Sequence, residues 1–113
     1  MKIFNHKDVE LWEVKDEGGE GVSIRWLISK DDGAQRFFMR IFDVQPGGHT
    51  PYHKHPWEHE VFILEGKAEV ASEKGKHSAP AGHVVFVLPD EHHQFRNETD
   101  KLMRFMCLIP KVE

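Results

Sequence analysis

The sequence predicts an all-β fold of the sandwich or barrel kind. Its apolar runs are short, Gly and Pro interrupt them at nearly regular intervals, and no long segment has the period of a helix. Many short strands separated by turn residues are typical of double-sheet barrels and sandwiches. A chain of 113 residues has room for one hydrophobic core, so we expect a single domain over residues 1–113.

The individual strands follow from the apolar runs and from the turns between them. In chain order they are predicted at residues 9–14, 22–29, 37–44, 59–64, 67–72, 84–88, and 95–97 leading on to 102–110. Turn chemistry rich in Gly, Pro and Asp separates them at residues 18–21, 31–33, 46–48, 65–66, 73–76, 80–82 and 89–90.

Three of the predicted strands are apolar on both faces, namely the runs at 61–64, 84–88 and 105–110. A strand with one wet face should alternate apolar and polar residues, so something must cover the second face here. Either the opposite sheet of a closed barrel or a second copy of the chain would do so. We expect a homodimer, because a barrel this small has little spare chain to cover its outside.

Composition and charge exclude several classes of function. The net charge is −4 and the acidic residues are spread along the chain, so we expect neither a nucleic-acid partner nor an anionic membrane surface. No segment approaches the roughly 20 apolar residues of a transmembrane helix, and residues 1–10 lack a signal-peptide core. The single cysteine, Cys107, rules out an internal disulfide and fits a reducing cytoplasm.

Histidine is unusually frequent, with nine in the chain and a dense group in residues 46–66. His53 and His55 are two residues apart, so on an extended chain their side chains project from the same face. The alternation of His59 with Val61 and Ile63 allows His59 to face the same interior. Three converging imidazoles predict a metal site, because neutral imidazole nitrogens suit Zn, Cu, Fe and Ni.

A fourth ligand is expected from residues 88–97, where His92 and His93 are adjacent and only one can face inward. Phe95 shares the phase of His93, whereas Arg96 shares that of His92. Because the arginine is the better residue for solvent, we choose His93 as the ligand and Phe95 as a pocket residue. The remaining histidines are expected at the surface: His6, His49, His77, His83 and His92.

These residues resemble the two motifs of the cupin superfamily, G-x5-H-x-H-x3/4-E-x6-G and G-x5-P-x-G-x2-H-x3-N. The first spans residues 47–66 with His53 and His55; the second spans residues 82–97, where the spacing of His93 and Asn97 is intact. Two positions depart from the pattern. Glu91 stands in place of a glycine, and His59 stands in place of the acidic ligand, with Glu60 one residue further on.

A histidine in place of the acidic ligand, as at His59, resembles small single-domain cupins with a four-histidine, manganese-binding centre. The resemblance implies a double-stranded β-helix (jelly-roll) barrel with one divalent transition metal per chain on His53, His55, His59 and His93. The resemblance implies manganese as the first expected metal, followed by Fe, Ni, Cu or Zn.

Five further residues are candidates for the surroundings of the metal. Glu60 is expected to be a surface residue or a carboxylate that hydrogen-bonds a ligand histidine. Phe105 and Cys107 alternate with Arg104 and are expected to point inward, Phe105 as a pocket wall or plain core. Arg40 lies among bulky apolar neighbours, and its phase decides between pairing with a substrate carboxylate and a surface charge, which we favour slightly. Trp57 is expected to pack at the rim.

Such a centre predicts a metal-dependent enzyme acting on a small organic molecule, with dioxygenase-type cleavage as the leading reaction. The alternatives are non-redox isomerisation or decarboxylation, and a non-catalytic module that binds a metal or metabolite. Fold resemblance alone does not choose among them. Because imidazoles must be neutral to bind a metal, affinity is expected to fall as the pH drops through about 6.5.

Overall fold

A computed structural model describes residues 1–112 and places nearly all of the regular structure in β-strands. They are β1 (Trp12–Glu13), β2 (Glu20–Ile28), β3 (Phe37–His49), β4 (His59–Glu65), β5 (Lys67–Ser72), β6 (Gly75–Pro80), β7 (Val84–Val87), β8 (Gln94–Arg96) and β9 (Met103–Pro110). Two short 3-10 turns, His6–Asp8 and Lys30–Asp32, complete the elements. The all-β prediction is confirmed. Within this part of the chain, no helix has the length and apolar character needed to cross a membrane.

All the strand pairs are antiparallel, and they curl into a nearly closed barrel. One side of the barrel has the order β1-β2-β3-β9-β4-β7 and the other has β6-β5-β8. Strand β3 joins the two sides: residues 37–44 pair with β9, and His49 at its end pairs with Arg96 of β8. The long strand therefore fixes the position of one side relative to the other.

The core lies inside this barrel and follows the alternation of the strands. Along β9, Met103, Phe105, Cys107 and Ile109 are buried, and the residues between them are partly exposed. Val61 and Ile63 of β4 oppose Cys107 and Phe105 directly in the ladder, so all four side chains share the inner face. Val22, Phe38, Val44, Ala68, Ala79, Val87 and Phe95 complete most of the core.

Two details of the strand prediction are wrong. Residues 75–80 form strand β6, which was not predicted. Every side chain of β6 except Ala79 is exposed, so the segment has no alternation of apolar and polar residues. Pairing with β5 makes this edge a strand. The predicted turn at residues 46–48 is instead an internal part of β3, where Gly47 has a φ of 79° and the ladder to β2 skips from Val44 to His49.

Gly66 forms the corner at which the chain leaves β4 and enters β5 on the other side of the barrel. Its φ is 75°, a left-handed conformation that glycine adopts without steric cost. A Cβ at this position would lie 2.5 Å from the carbonyl oxygen of Leu102. Both constraints require glycine, which accounts for the residue that closes the first motif.

The outside of strands β4 and β7 is an exposed apolar surface. We call the set Phe62, Leu64, Val84 and Phe86 the outer apolar face; its members are between 37% and 69% exposed. Phe62 opposes Val84 across one edge of β4 and Met106 across the other, so the patch continues onto β9. The runs that are apolar on both faces therefore have one face in the core and one in solvent.

Candidate metal centre

Backbone pairing brings the two histidine-bearing segments together. The amide of His53 donates to the carbonyl of His93 at 3.2 Å, and the amide of His93 donates to that of His53 at 2.9 Å. His53 and His55 lie in the connection between β3 and β4, His59 begins β4, and His93 directly precedes β8. The sheet thus places side chains from distant positions at one point without any side-chain bond between them.

The four imidazoles form a cluster at this point. One ring nitrogen from each of His53, His55 and His93 lies within 4.8 Å of the others, a spacing that could hold a metal ion. His59 is adjacent, with its ring centroid 4.9 Å from that of His93 and 5.2 Å from that of His55. Trp57 stacks on His55 with ring centroids 4.5 Å apart and an interplanar angle of 4°, which restrains that ring.

Hydrogen bonds at the far side of two rings fix which nitrogen faces the cluster. Nδ1 of His93 lies 2.9 Å from the carbonyl oxygen of Glu91, which can only accept, so this nitrogen carries the proton. Nδ1 of His59 lies 3.3 Å from Sγ of Cys107. Nε2 of His59 is buried and has no hydrogen-bond partner among residues 1–112. A buried nitrogen without a partner, on a ring that neighbours those of His55 and His93, fits a metal ligand, because such atoms otherwise cost free energy.

Burial keeps the four histidines neutral at physiological pH. Desolvation lowers the pKa of His53 to about 4 and that of His59 to about 3, with smaller contributions from the neighbouring histidines and from Arg40. The pKa values of His55 and His93 are also lowered, again chiefly by burial. Neutral imidazoles are the form that binds metals. Protons should therefore compete with a metal at a lower pH than the 6.5 expected for ordinary histidines.

We expect the metal-free protein to lose stability as the pH falls from about 6.5 towards 4. In the unfolded chain these imidazoles take up protons near pH 6.5, whereas in the folded protein His53 and His59 stay neutral to about 4 and 3. The unfolded state then binds more protons, so the free energy of unfolding falls with pH. Urea unfolding of chelator-treated protein at several pH values measures this.

A variant with His53→Gln and His59→Gln serves as the control for this pH dependence. It should show a flatter dependence of unfolding free energy on pH over the same range, whatever its absolute stability. An unchanged slope in the variant would show that other groups cause the acid sensitivity.

The cluster lies in the wall of a cavity of about 470 Å³. Its walls are mainly apolar and aromatic, and within residues 1–112 the acidic side chains that line it are Glu13 and Asp16, in the segment around β1. The aromatic walls are continuous: Phe105 stacks between Phe42 and Phe95, with centroid distances of 5.0 and 4.7 Å. The cavity is therefore suited to a small, partly apolar molecule that reaches the histidines from one side.

The structure places four of the predicted surrounding residues on the inside. Phe95, Phe105 and Cys107 are buried and line the cavity. Arg40 also lines the cavity and lies opposite Cys107 in the pairing of β3 with β9. The surface position expected for Arg40 is therefore wrong. Of the two positions expected for Glu60, the surface one is found: it is exposed on the opposite face of β4 from His59, so the expected hydrogen bond to a histidine of the cluster is wrong.

The other histidines lie away from the cluster to different degrees. His77 and His83 are exposed, and His92 is partly exposed and pairs with Glu73. His6 and His49, like His92, are partly exposed, and Nδ1 of His49 lies 3.2 Å from the carbonyl oxygen of Thr50. His93, not His92, is thus the member of the adjacent pair that faces inward.

Sequence reasoning missed much of the cavity wall, including Trp26, Phe42 and Thr50. Trp26 follows Val22 and Ile24 in strict alternation and opposes Arg40, so the period of β2 could have revealed it. Thr50 is buried, and its hydroxyl accepts the amide of Phe95 at 2.9 Å, which ties the two sides of the barrel together beside the site. No pattern in the sequence marks this hydrogen bond.

The family model for the cupin domain, Cupin_2, matches residues 40–109 of this chain. That range contains every residue of the histidine cluster and most of the barrel. The chain belongs to the cupin superfamily, and its nearly closed antiparallel barrel is consistent with the jelly-roll form predicted from the motifs.

Several known proteins are similar to the chain. The solved polyketide cyclase RemF from Streptomyces resistomycificus is 34% identical, with a TM-score of 0.93 over 97% of this chain and 79% of that one. The polyketide synthase CurC of Streptomyces cyaneus is 28% identical over 94% of this chain and 70% of its own length. The 1-methylthio-D-xylulose 5-phosphate methylsulfurylase of Rhodospirillum rubrum is 33% identical over 63% of this chain, a match that spans 46% of the relative.

Proposed function

We propose that the protein is a metal-dependent enzyme that acts on a small organic molecule, with one divalent transition metal held by His53, His55, His59 and His93. The observation that carries the proposal is the cluster of neutral imidazoles in the wall of a cavity, with Nε2 of His59 buried and without a hydrogen-bond partner among residues 1–112. Structural zinc sites are instead closed and usually rich in cysteine. Manganese is the first choice on the four-histidine resemblance, while the nitrogen donors also suit Fe, Ni, Cu and Zn.

When bound, the metal would supply a Lewis acid that polarises a substrate oxygen or lowers the pKa of a bound water. The protein's own residues would do the rest. Glu91 and Cys107 orient the rings of His93 and His59 through their Nδ1 atoms. Phe42, Phe95 and Phe105 exclude water from the inner wall and present flat apolar surfaces to the substrate.

For the reaction class we propose non-redox chemistry, such as cyclisation, isomerisation or decarboxylation, ahead of the dioxygenase chemistry expected from the sequence. Sγ of Cys107 lies 3.3 Å from Nδ1 of His59, and a thiol this close to an oxygen-activating metal would be prone to oxidation. The similarity to a polyketide cyclase supports the same choice. Dioxygenase cleavage is the second candidate, favoured by the water-excluding aromatic walls.

Anaerobic turnover separates these candidates. Metal-loaded protein would be incubated with a panel of aromatic acids and 1,3-dicarbonyl compounds, in air with an oxygen electrode and again under nitrogen, with products identified by mass spectrometry. We expect turnover without oxygen uptake and unchanged rates under nitrogen. Incorporation of both atoms of ¹⁸O₂ would establish dioxygenase chemistry instead, and tight binding without product would favour a binding module.

We also propose that the chain forms a homodimer through the outer apolar face. A two-fold contact requires only one patch on each copy, and Phe62, Val84 and Phe86 project together from adjacent strands. Phe86→Glu would place a charge in the middle of that contact, and we expect it to convert the dimer to monomer in sedimentation velocity at micromolar concentration. Lys74→Glu, in the exposed turn between β5 and β6, is the control. A monomeric wild type would rule out this assembly.

A further inference from the structure

Arg40 has an unusual position for a cation. It lies in the middle of β3, opposite Cys107 on one side and Trp26 on the other, and its side chain lines the cavity with the four histidines. Its guanidinium carbon is 4.9 Å from the ring centroid of Phe42 and 5.3 Å from that of Trp26. Two aromatic rings thus lie within cation–π distance of the guanidinium at the cavity wall.

Most of the hydrogen-bonding capacity of this guanidinium is unused. Nη2 donates to Sγ of Cys107 at 3.0 Å, and sulfur is a weak acceptor. Nε is buried and lacks a hydrogen-bond partner in the described part of the chain. No ion pair found within residues 1–112 includes Arg40. A buried donor without an acceptor costs free energy unless a ligand supplies one.

Charge balance points the same way. Histidines bind a metal as neutral imidazoles, so a bound divalent metal and Arg40 together would leave the inner cavity strongly positive. Among residues 1–112, the acidic residues of the cavity wall are Glu13 and Asp16, which belong to the segment around β1 and form no ion pair with Arg40. An anionic ligand would supply the missing negative charge and the missing acceptors at once.

We propose that Arg40 makes the site selective for planar organic anions, by pairing its guanidinium with a carboxylate or an equivalent oxyanion while the body of the molecule lies against Phe42 and Phe105. The fork of an arginine matches the two oxygens of a carboxylate, and the flat aromatic walls suit a conjugated or aromatic body. This inference rests on the proposed function and extends it to a substrate class. Arg40 is thereby a specificity-determining residue.

The alternative is that Arg40 only packs against Trp26 and Cys107. A packing role would make every substitution destabilising but would give the cavity no preference for negative charge. The charge of the ligand is therefore the property to vary.

The test compares benzoate with benzamide, which has the same shape but no charge. Binding is measured on metal-free protein, because a bound metal would itself attract a carboxylate. The methods are calorimetry and intrinsic tryptophan fluorescence, to which Trp26 beside the guanidinium contributes. We expect wild type to prefer benzoate by about tenfold or more, as for hydrogen bonds to a charged group. Arg40→Met should abolish that preference and leave benzamide binding unchanged, while Arg40→Lys should retain part of it.

Arg36→Met, at an exposed arginine just before β3, is the matched control and should bind like wild type. Circular dichroism and thermal unfolding verify that each variant is folded. Equal affinity of wild type for the two probes, no binding of benzoate at millimolar concentration, or a preference retained in folded Arg40→Met would overturn the inference. If metal-free wild type prefers benzoate but metal-loaded protein turns over no compound of the panel, this inference stands while the proposed enzymatic function fails.

Discussion

Replacing His93 by alanine is expected to remove the metal almost completely, while replacing its neighbour His92 leaves it in place. His93 is buried, and one of its ring nitrogens lies within 4.8 Å of those of His53 and His55. Its Nδ1 is held by the carbonyl of Glu91, so the remaining nitrogen is oriented in advance. His92 points elsewhere and pairs with Glu73. Two adjacent histidines with opposite orientations form a natural matched pair.

The measurement is metal content by mass spectrometry on untagged protein, for wild type, His55→Ala, His93→Ala and His92→Ala. Wild type and His92→Ala should hold close to one metal per chain, and the other two should hold less than about a tenth of that, since structural ligands contribute a large share of binding free energy. Metal retained in both His55→Ala and His93→Ala would contradict the four-histidine assignment, and so would little metal in wild type.

Asp43→Ala is expected to cause the largest loss of stability, about 3 kcal/mol of unfolding free energy. Asp43 is only 7% exposed and accepts two hydrogen bonds from Arg104, with Nε to Oδ1 at 2.7 Å and Nη2 to Oδ2 at 3.1 Å. Arg25 lies 3.6 Å from the same carboxylate. Removing Asp43 would leave two largely buried guanidinium groups without this shared partner, which is costly for a chain of this size.

Urea unfolding of metal-free protein measures this change, with Glu65→Ala as the control. Glu65 accepts from the same arginine at 2.9 Å, but its side chain is 55% exposed, so its loss should cost less than about 1 kcal/mol. The double variant Asp43→Ala with Arg104→Met should recover part of the loss, because it removes one of the unpaired charges. Equal effects of Asp43→Ala and Glu65→Ala would mean that burial does not strengthen this ion pair.

Regular alternation made part of the candidate site predictable. His59 shares its phase with Val61 and Ile63, and all three are buried. His93 and Phe95 share a phase in the same way, which separated His93 from His92. In these segments one face is plainly apolar, so the identity of the neighbours reveals the orientation of a polar residue.

Arg40 and Glu60 show where this reasoning ends. The residues around Arg40 are bulky and apolar on both faces, so the period carries no information about phase. Only the register of β3 against β9, which sets Arg40 opposite Cys107, determines that it faces inward. Glu60 was considered for hydrogen bonding because of its distance along the chain from His55, yet β4 turns it to the opposite face from His59. Register depends on long-range pairing, which a single sequence does not display.

The two backbone hydrogen bonds between His53 and His93 link assembly of the histidine cluster to pairing of the strands that carry it. Those two amide hydrogens can exchange with solvent only when the pairing between the β3–β4 connection and the start of β8 opens. Their exchange rates in deuterated water would therefore measure how often the site comes apart, whether or not a metal is present. Slow exchange in metal-free protein would mean that the cluster is held assembled by the sheet before the ion arrives.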